Sequence, residues 1–254
     1  MSGVRLIPVP AWIAVLVLAL LSLPAPASQR VALVVGNADY AHAPALANPL
    51  NDAGDVGAAL GRVGFSVTRL ENADRARLWR GLQEFALAAS ASDIAVVFYA
   101  GHGIEVDRRN FLVPVDARLA SDQDVEFEAV PLELVSRAVE RASGLRLVIL
   151  DACRENPFAV SMQRAGATRS IGRGLARVEP SGETLVAYAA KEGTVASDGA
   201  GRNSPYSEAL LAHLEEPGLE VGLLFRKVRD AVLASTGAGR SRSCTGRCRA
   251  AGRI

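Results

Sequence analysis

Continuous apolar runs alternate with segments of helical period along most of this chain. Arg30–Val35 (RVALVV), Asp93–Ala100 (DIAVVFYA), Leu145–Leu150 (LRLVIL) and Thr184–Ala190 (TLVAYAA) are almost unbroken apolar stretches. Runs of that length, rich in Val, Ile and aromatics, predict strands buried on both faces. Phe65–Leu70 (FSVTRL) alternates and predicts a further strand, while Asn110–Val115 is short and extended, with Pro114 marking an edge or a bend. The stretches between them carry the 3.6-residue period. Asn51–Val63 places Ala53, Val56, Gly57 and Leu60 on one face, with Asn51 or Asp52 available as N-cap and Gly64 as the stop. Asp74–Ala89 repeats Leu78, Leu82, Phe85 and Ala89, and Pro131–Ala142 opens on a proline suited to a first turn. Ser204–Leu214 and Val221–Ala234 are the last two helices. This β-α-β order predicts one α/β domain, a three-layer sandwich whose mostly parallel sheet is covered by helices on both faces.

Composition adds little to that picture, but the chain ends change it. The 254 residues are 50% apolar with a formal net charge of +1 and 5% aromatics, so neither a basic nucleic-acid surface nor a set of base-stacking rings is indicated. Arg5, the 13-residue apolar run Ala11–Leu23 and Ala25-Pro26-Ala27 together read as a secretory signal over residues 1–27, cleaved after Ala27. The run is shorter than the roughly 20 residues of a membrane span. An exported domain, periplasmic or secreted, with no stable membrane insertion, is therefore expected over 30–236. Residues 237–254 lack a hydrophobic period and carry five arginines, the composition of a disordered tail or of a frame-shifted end. Of three cysteines, Cys244 and Cys248 lie in that tail and are placed to form a local disulfide. Cys153 is left over as a thiol to be tested for reactivity.

Two of the apolar runs end on motifs with chemical potential. Asp93–Ala100 leads into Gly101-His102-Gly103, and Leu145–Leu150 into Asp151-Ala152-Cys153-Arg154. If the two strands are parallel neighbours, His102 and Cys153 emerge together at the carboxyl edge of the sheet, where open α/β sheets hold their ligands. An imidazole beside a thiol is the minimal equipment of a cysteine nucleophile. Taken singly, a buried cysteine is more often a packing residue, and Asp52 or Asp151 more simply a cap or a strand-end acceptor. The combination at matched strand ends, flanked by glycine, is what favours chemistry. The stretch Arg154–Glu183 has no period and reads as a long functional loop. The acidic run 122–128 reads as a solvated loop, and Gly36 and Gly101 fit no phosphate-cradling pattern.

Several of these pieces fall into one family's order. Val35-Gly36-Asn37-x-x-Tyr40, Leu46-x-Asn48-Pro49-x-Asn51-Asp52-Ala53, Tyr99-Ala100-Gly101-His102-Gly103-x-Glu105, Leu150-Asp151-Ala152-Cys153-Arg154-x-Asn156-Pro157-Phe158, Ala187-Tyr188-Ala189 and Asn203-Ser204-Pro205 occur in that sequence. From Arg30 to about Ala234 the chain resembles the caspase-like cysteine peptidases, in particular bacterial metacaspase-like members (orthocaspases). Histidine and cysteine stand 51 positions apart, against about 50 in the caspase pattern. The resemblance implies a cysteine endopeptidase with His102 as general base and Cys153 as nucleophile. It implies an oxyanion hole from the backbone N–H groups of Gly103 and Cys153, where one such donor contributes about 3 kcal/mol. It places Asp52 and Asp151 in the primary substrate pocket, and two carboxylates there call for Arg or Lys before the cut. Self-cleavage at Arg154, Arg164, Arg169, Arg173 or Arg177 would follow from that preference. The calcium positions of metacaspases match only Asp116, with Ala129, Val130 and Val160 in place of acids, too few oxygens for that ion. The implied protein thus needs no metal or cofactor, acts as a monomer and takes a protein or peptide as its substrate. Two other readings stay open: a catalytically silent caspase-fold module that binds a partner protein, and a hydrolase or acyl-transferase using the same pair on a non-peptide substrate.

Overall fold

A computed structural model describes residues 29–153, 156–158, 162, 175, 184–189, 201–236 and 244–245 of the chain. Its strands are β1 (Arg30–Gly36), β2 (Ser66–Glu71), β3 (Ile94–Val106), β4 (Arg109–Leu112), β5 (Val130–Pro131), β6 (Leu145–Cys153), β7 (Thr184–Tyr188) and β8 (Cys244–Thr245). Its helices are α1 (Pro49–Arg62), α2 (Arg75–Ala89), α3 (Val125–Glu128), α4 (Leu132–Val139), α5 (Pro205–Leu214) and α6 (Val221–Thr236). The sheet order is β2-β1-β3-β6-β7-β8, parallel except for β8, with β4 and β5 forming an antiparallel extension from the end of β3.

Strand period divides the core cleanly. Alternate residues of the central strands, Ala32, Val34, Val96, Phe98, Leu147, Ile149 and Ala187 among them, face α1, α5 and α6. The intervening set, including Leu33, Val35, Val97, Tyr99, Val148, Leu150 and Val186, faces α2 and α4. Each continuous apolar run therefore feeds two cores at once, which is why it lacks alternation. A third cluster, with Tyr40, Ile104, Phe111, Val113 and Phe158, lies under the β3–β4 extension. These layers are the predicted sandwich. Among the described residues, no helix is long and apolar enough to cross a membrane.

Four details differ from the expectations. β3 and β6 do not stop before their motifs but run through them, to Val106 and Cys153. The N-cap position of α1 is Asn48 rather than Asn51 or Asp52, and Pro49 opens the helix. Asp52 thus sits within the first turn, 2% exposed. The acidic run is not simply solvated: Val125–Glu128 form a helical turn, Asp122 is fully buried, and Glu128 Oε2 accepts the N–H groups of Arg118 and Leu119 at 2.7 and 2.8 Å. Finally, the sheet continues past the boundary drawn at 236, because Cys244 and Thr245 pair antiparallel with Ala187 and Val186. The remainder of the tail, Cys248 and residues 1–27, expected to be a secretory signal, lie outside the described residues.

Candidate functional site

The parallel ladder between β3 and β6 runs in unbroken register from Ile94↔Leu145 to His102↔Cys153. Neighbouring strands lie about 4.8 Å apart, so the backbones of His102 and Cys153 stand side by side at the carboxyl end of the two central strands.

His102 is 4% exposed and its orientation is set from the loop after β1. Its Nε2 lies 3.0 Å from the Pro44 carbonyl oxygen. A carbonyl only accepts, so Nε2 carries the proton and the basic lone pair belongs to Nδ1. The Tyr40 ring lies against the imidazole, centroids 4.5 Å apart and tilted by 50°. The His102 backbone N–H donates to Tyr40 Oη at 2.7 Å, while Tyr99 Oη reaches the His102 and Val113 carbonyls at 2.7 and 3.1 Å. Burial holds the Tyr99 hydroxyl well above the usual tyrosine range, so it stays protonated as a donor. The loop itself hangs on Asn37, fully buried, which accepts from Ala73 N–H at 2.9 Å and donates to the Val113 carbonyl at 3.2 Å. Asn37 therefore ties the ends of three chain segments into one frame behind the histidine.

Gly101 is sterically required and Gly103 is tightly enclosed. A Cβ on Gly101 would sit 2.6 Å from Tyr40 Oη and 2.8 Å from Tyr99 Oη. A Cβ on Gly103 would meet Leu175 Cδ2 at 3.0 Å and Ala152 Cβ at 3.3 Å. The backbone bonds around Gly103 also have a direction. The His102 carbonyl accepts Val113 N–H at 3.1 Å, facing β4. Amides alternate along a strand, so the Gly103 N–H faces the opposite edge, the side on which β6 ends at Cys153.

The two acidic positions converge. Asp52 reaches across from α1 and Asp151 from the end of β6, and both meet Ser204 ahead of α5. The Ser204 N–H donates to Asp52 Oδ1 at 3.0 Å, and its hydroxyl donates to Asp151 Oδ2. The Ser207 hydroxyl donates to the same Asp151 oxygen at 2.8 Å. Ser204 meanwhile caps α5, accepting Ser207 N–H at 2.9 Å. Next to them Asp55, one turn along α1, accepts from both arms of the Arg202 guanidinium at 3.1 Å each and from Asn203 Nδ2 at 3.1 Å. The Arg202 hydrogen bonds hold its carboxyl below the usual aspartate value. Sequence reasoning identified the two carboxylates but missed Ser204, Ser207, Asp55 and Arg202. The Asn203-Ser204-Pro205 motif, one of the pieces of the family resemblance, was the available signal, with no site role attached to it. Asp116 accepts Arg75 N–H at 2.9 Å, at the N-terminus of α2. Ala129 and Val130 are buried core residues, and Val160 lies outside the described residues.

A mostly parallel sheet covered by helices on both faces, with His102 and Cys153 in register at its carboxyl edge, is an α/β sandwich of caspase-like architecture. The chain belongs to the caspase-domain family, which matches it over residues 29–249. Over 129 residues, 51% of its length, it is 30% identical to the human mucosa-associated lymphoid tissue lymphoma translocation protein 1. The homologous mouse protein matches to the same extent, also 30% over 129 residues. The shared stretch is only 15% of either relative's length. In fold it is similar to protein GSU0716 of Geobacter sulfurreducens, with a TM-score of 0.60 over 87% of this chain and 95% of that one. At 17% identity that likeness concerns architecture alone.

Proposed function

We propose that the chain is a cysteine endopeptidase in which Cys153 is the nucleophile, His102 the general base, and Asp52 and Asp151 select Arg or Lys before the scissile bond. The observation that carries this reading is the His102↔Cys153 register combined with the Pro44 carbonyl on Nε2. A histidine fixed in that tautomer presents Nδ1 as a base, as a dyad requires. The Cys153 proton passes to His102 Nδ1 and the thiolate attacks the substrate carbonyl carbon. The resulting oxyanion accepts hydrogen bonds from the Gly103 and Cys153 amides, His102 returns its proton to the departing amine, and water then hydrolyses the thioester.

The specificity claim rests on the paired carboxylates. Neutral hydroxyl and amide groups donate to both carboxylates, and a guanidinium would match the pair in charge and in fork geometry. The metacaspase-like assignment, export after removal of residues 1–27, and action as a monomer belong to the same proposal. Self-cleavage after Arg154, Arg164, Arg169, Arg173 or Arg177 belongs there too, although these positions lie outside the described residues.

The test uses the full chain. An arginyl chloromethyl ketone should alkylate Cys153, an adduct that mass spectrometry locates and that Cys153→Ala abolishes. A positional peptide library should then show cleavage after Arg or Lys. Cleavage confined to Asp would overturn the pocket reading; neither adduct nor hydrolysis would leave the catalytically silent module.

A further inference from the structure

On the opposite face of the sheet from the Asp52–Asp151 pair, α2 and α4 leave a hollow of about 400 Å³ between them. Its walls are Trp79, Leu82 and Ala86 from α2 and Leu134 and Ala138 from α4, and the guanidinium-bearing Arg137 and Arg141 line it as well. A third guanidinium, that of Arg75, lies over the Trp79 ring at 5.6 Å. Among the described residues none of these three side chains is in an ion pair, in contrast to Arg62, Arg109 and Arg202 elsewhere on the surface. The Trp79 indole N–H is buried without an acceptor. The volume falls within the range of small-molecule sites, roughly 300–1,000 Å³, which are apolar with a few convergent polar groups. An apolar chamber ringed by unmatched donors and lined by no carboxylate has the complement of an amphipathic anion. The charge is best met by a carboxylate, which accepts from a guanidinium in two places.

We propose that this hollow is a binding site for a small apolar carboxylate, whose hydrocarbon part lies against Trp79 and Leu134 and whose carboxylate is held by Arg137 and Arg141. The site is independent of the proposed peptidase chemistry, since none of its lining residues belongs to the His102 or Asp52–Asp151 groups.

Trp79 is also the reporter. The chain has two tryptophans, so Trp12→Phe in the full-length protein leaves Trp79 alone. Titration with decanoate should change its fluorescence saturably at sub-millimolar concentration, and 1-decanol, with the same chain and no charge, should bind at least tenfold more weakly. The Arg137→Gln/Arg141→Gln variant changes exposed positions, and circular dichroism checks its fold. It should weaken decanoate at least tenfold and leave 1-decanol unchanged. A second measurement needs no variant: nuclear Overhauser contacts from the decanoate chain to the Trp79 ring. Absence of a saturable response, equal binding of acid and alcohol, or missing contacts at saturation would each overturn the proposal.

Discussion

The two tyrosines beside His102 look interchangeable and are not. Tyr40 Oη is the acceptor for the buried His102 N–H, at 2.7 Å. Tyr99 Oη donates to the carbonyls of His102 and Val113, but each of those has another donor: Val113 N–H at 3.1 Å and Asn37 Nδ2 at 3.2 Å. Removing the Tyr99 hydroxyl leaves each carbonyl with its other donor and gives up only the longer 3.4 Å contact with Tyr40 Oη besides, a loss of about 0.5–1.5 kcal/mol. Removing the Tyr40 hydroxyl deprives a buried amide of its acceptor, which costs about 1–3 kcal/mol. In a domain of this size each kcal/mol lowers Tm by about 2–4 °C. Tyr40→Phe should thus fall roughly 2–12 °C below wild type in a thermal melt followed by circular dichroism, and Tyr99→Phe about 1–6 °C below it. Because the lost bond lies on His102 itself, Tyr40→Phe should also lower kcat for peptide hydrolysis with little change in KM. A Tyr99→Phe variant as destabilised as Tyr40→Phe, or more so, would refute the hydrogen-bond accounting.

Gly103→Ala must displace Leu175, whose Cδ2 would lie 3.0 Å from the new Cβ, and should cost about 1–3 kcal/mol of stability in urea unfolding and lower peptidase kcat. The alkaline limb should report Tyr99: its folded pKa is raised above the ordinary 10.0 by burial, so its stabilising effect is complete below that pH and is lost as pH rises beyond it. Melts from pH 8 to 12 should therefore show a steeper alkaline decline for wild type than for Tyr99→Phe. Ser204→Ala removes the α5 cap and one donor to Asp151, with a loss of about 1 kcal/mol for the cap. Its KM for arginyl peptides should shift more than its kcat, read from initial rates across substrate concentration. Asp52→Asn should raise KM for arginyl substrates by at least tenfold and leave alkylation of Cys153 by iodoacetamide unchanged.

The strands were legible because burial on both faces leaves long apolar runs, and the runs of β1, β3, β6 and β7 carry the sheet's centre. What the runs could not mark was where they stop. β3 passes through Gly101 and Gly103 and turns back into β4 at Asp107 and Arg108, both in the left-handed region with φ of 51° and 63°. A two-residue hairpin turn of that kind is normally signalled by Asn-Gly or Asp-Gly, and Asp-Arg gives no such signal. The adjacency of His102 and Cys153 was predictable from matched strand ends; the side chains that orient His102 were not. Pro44 contributes only a carbonyl, and no side-chain chemistry announces it. Likewise the Asp52–Ser204 contact joins positions 152 apart in the chain, a pairing that neither hydrophobic period nor local capping rules encode.

The two halves of the candidate site are built from different parts of the fold, and this separates their failure modes. His102 depends on the loop after β1, on Tyr99 within β3 and on the Asn37 frame. The acidic pair depends on α1 meeting α5, an association sealed at the surface by Arg202 on Asp55 and by Arg62 on Glu215 at 2.6 Å. Exposed pairs of this kind contribute little to stability on their own. They are placed, however, where helix docking sets the spacing of the Asp52 and Asp151 carboxylates. Arg202→Gln should therefore leave reaction of Cys153 with small alkylating agents intact while weakening discrimination between arginyl and neutral peptides. A lesion behind Tyr40 should do the reverse. Only if the two halves are mechanically independent will these effects appear separately, and parallel alkylation and peptide kinetics on the two variants distinguish that arrangement from a single cooperative site.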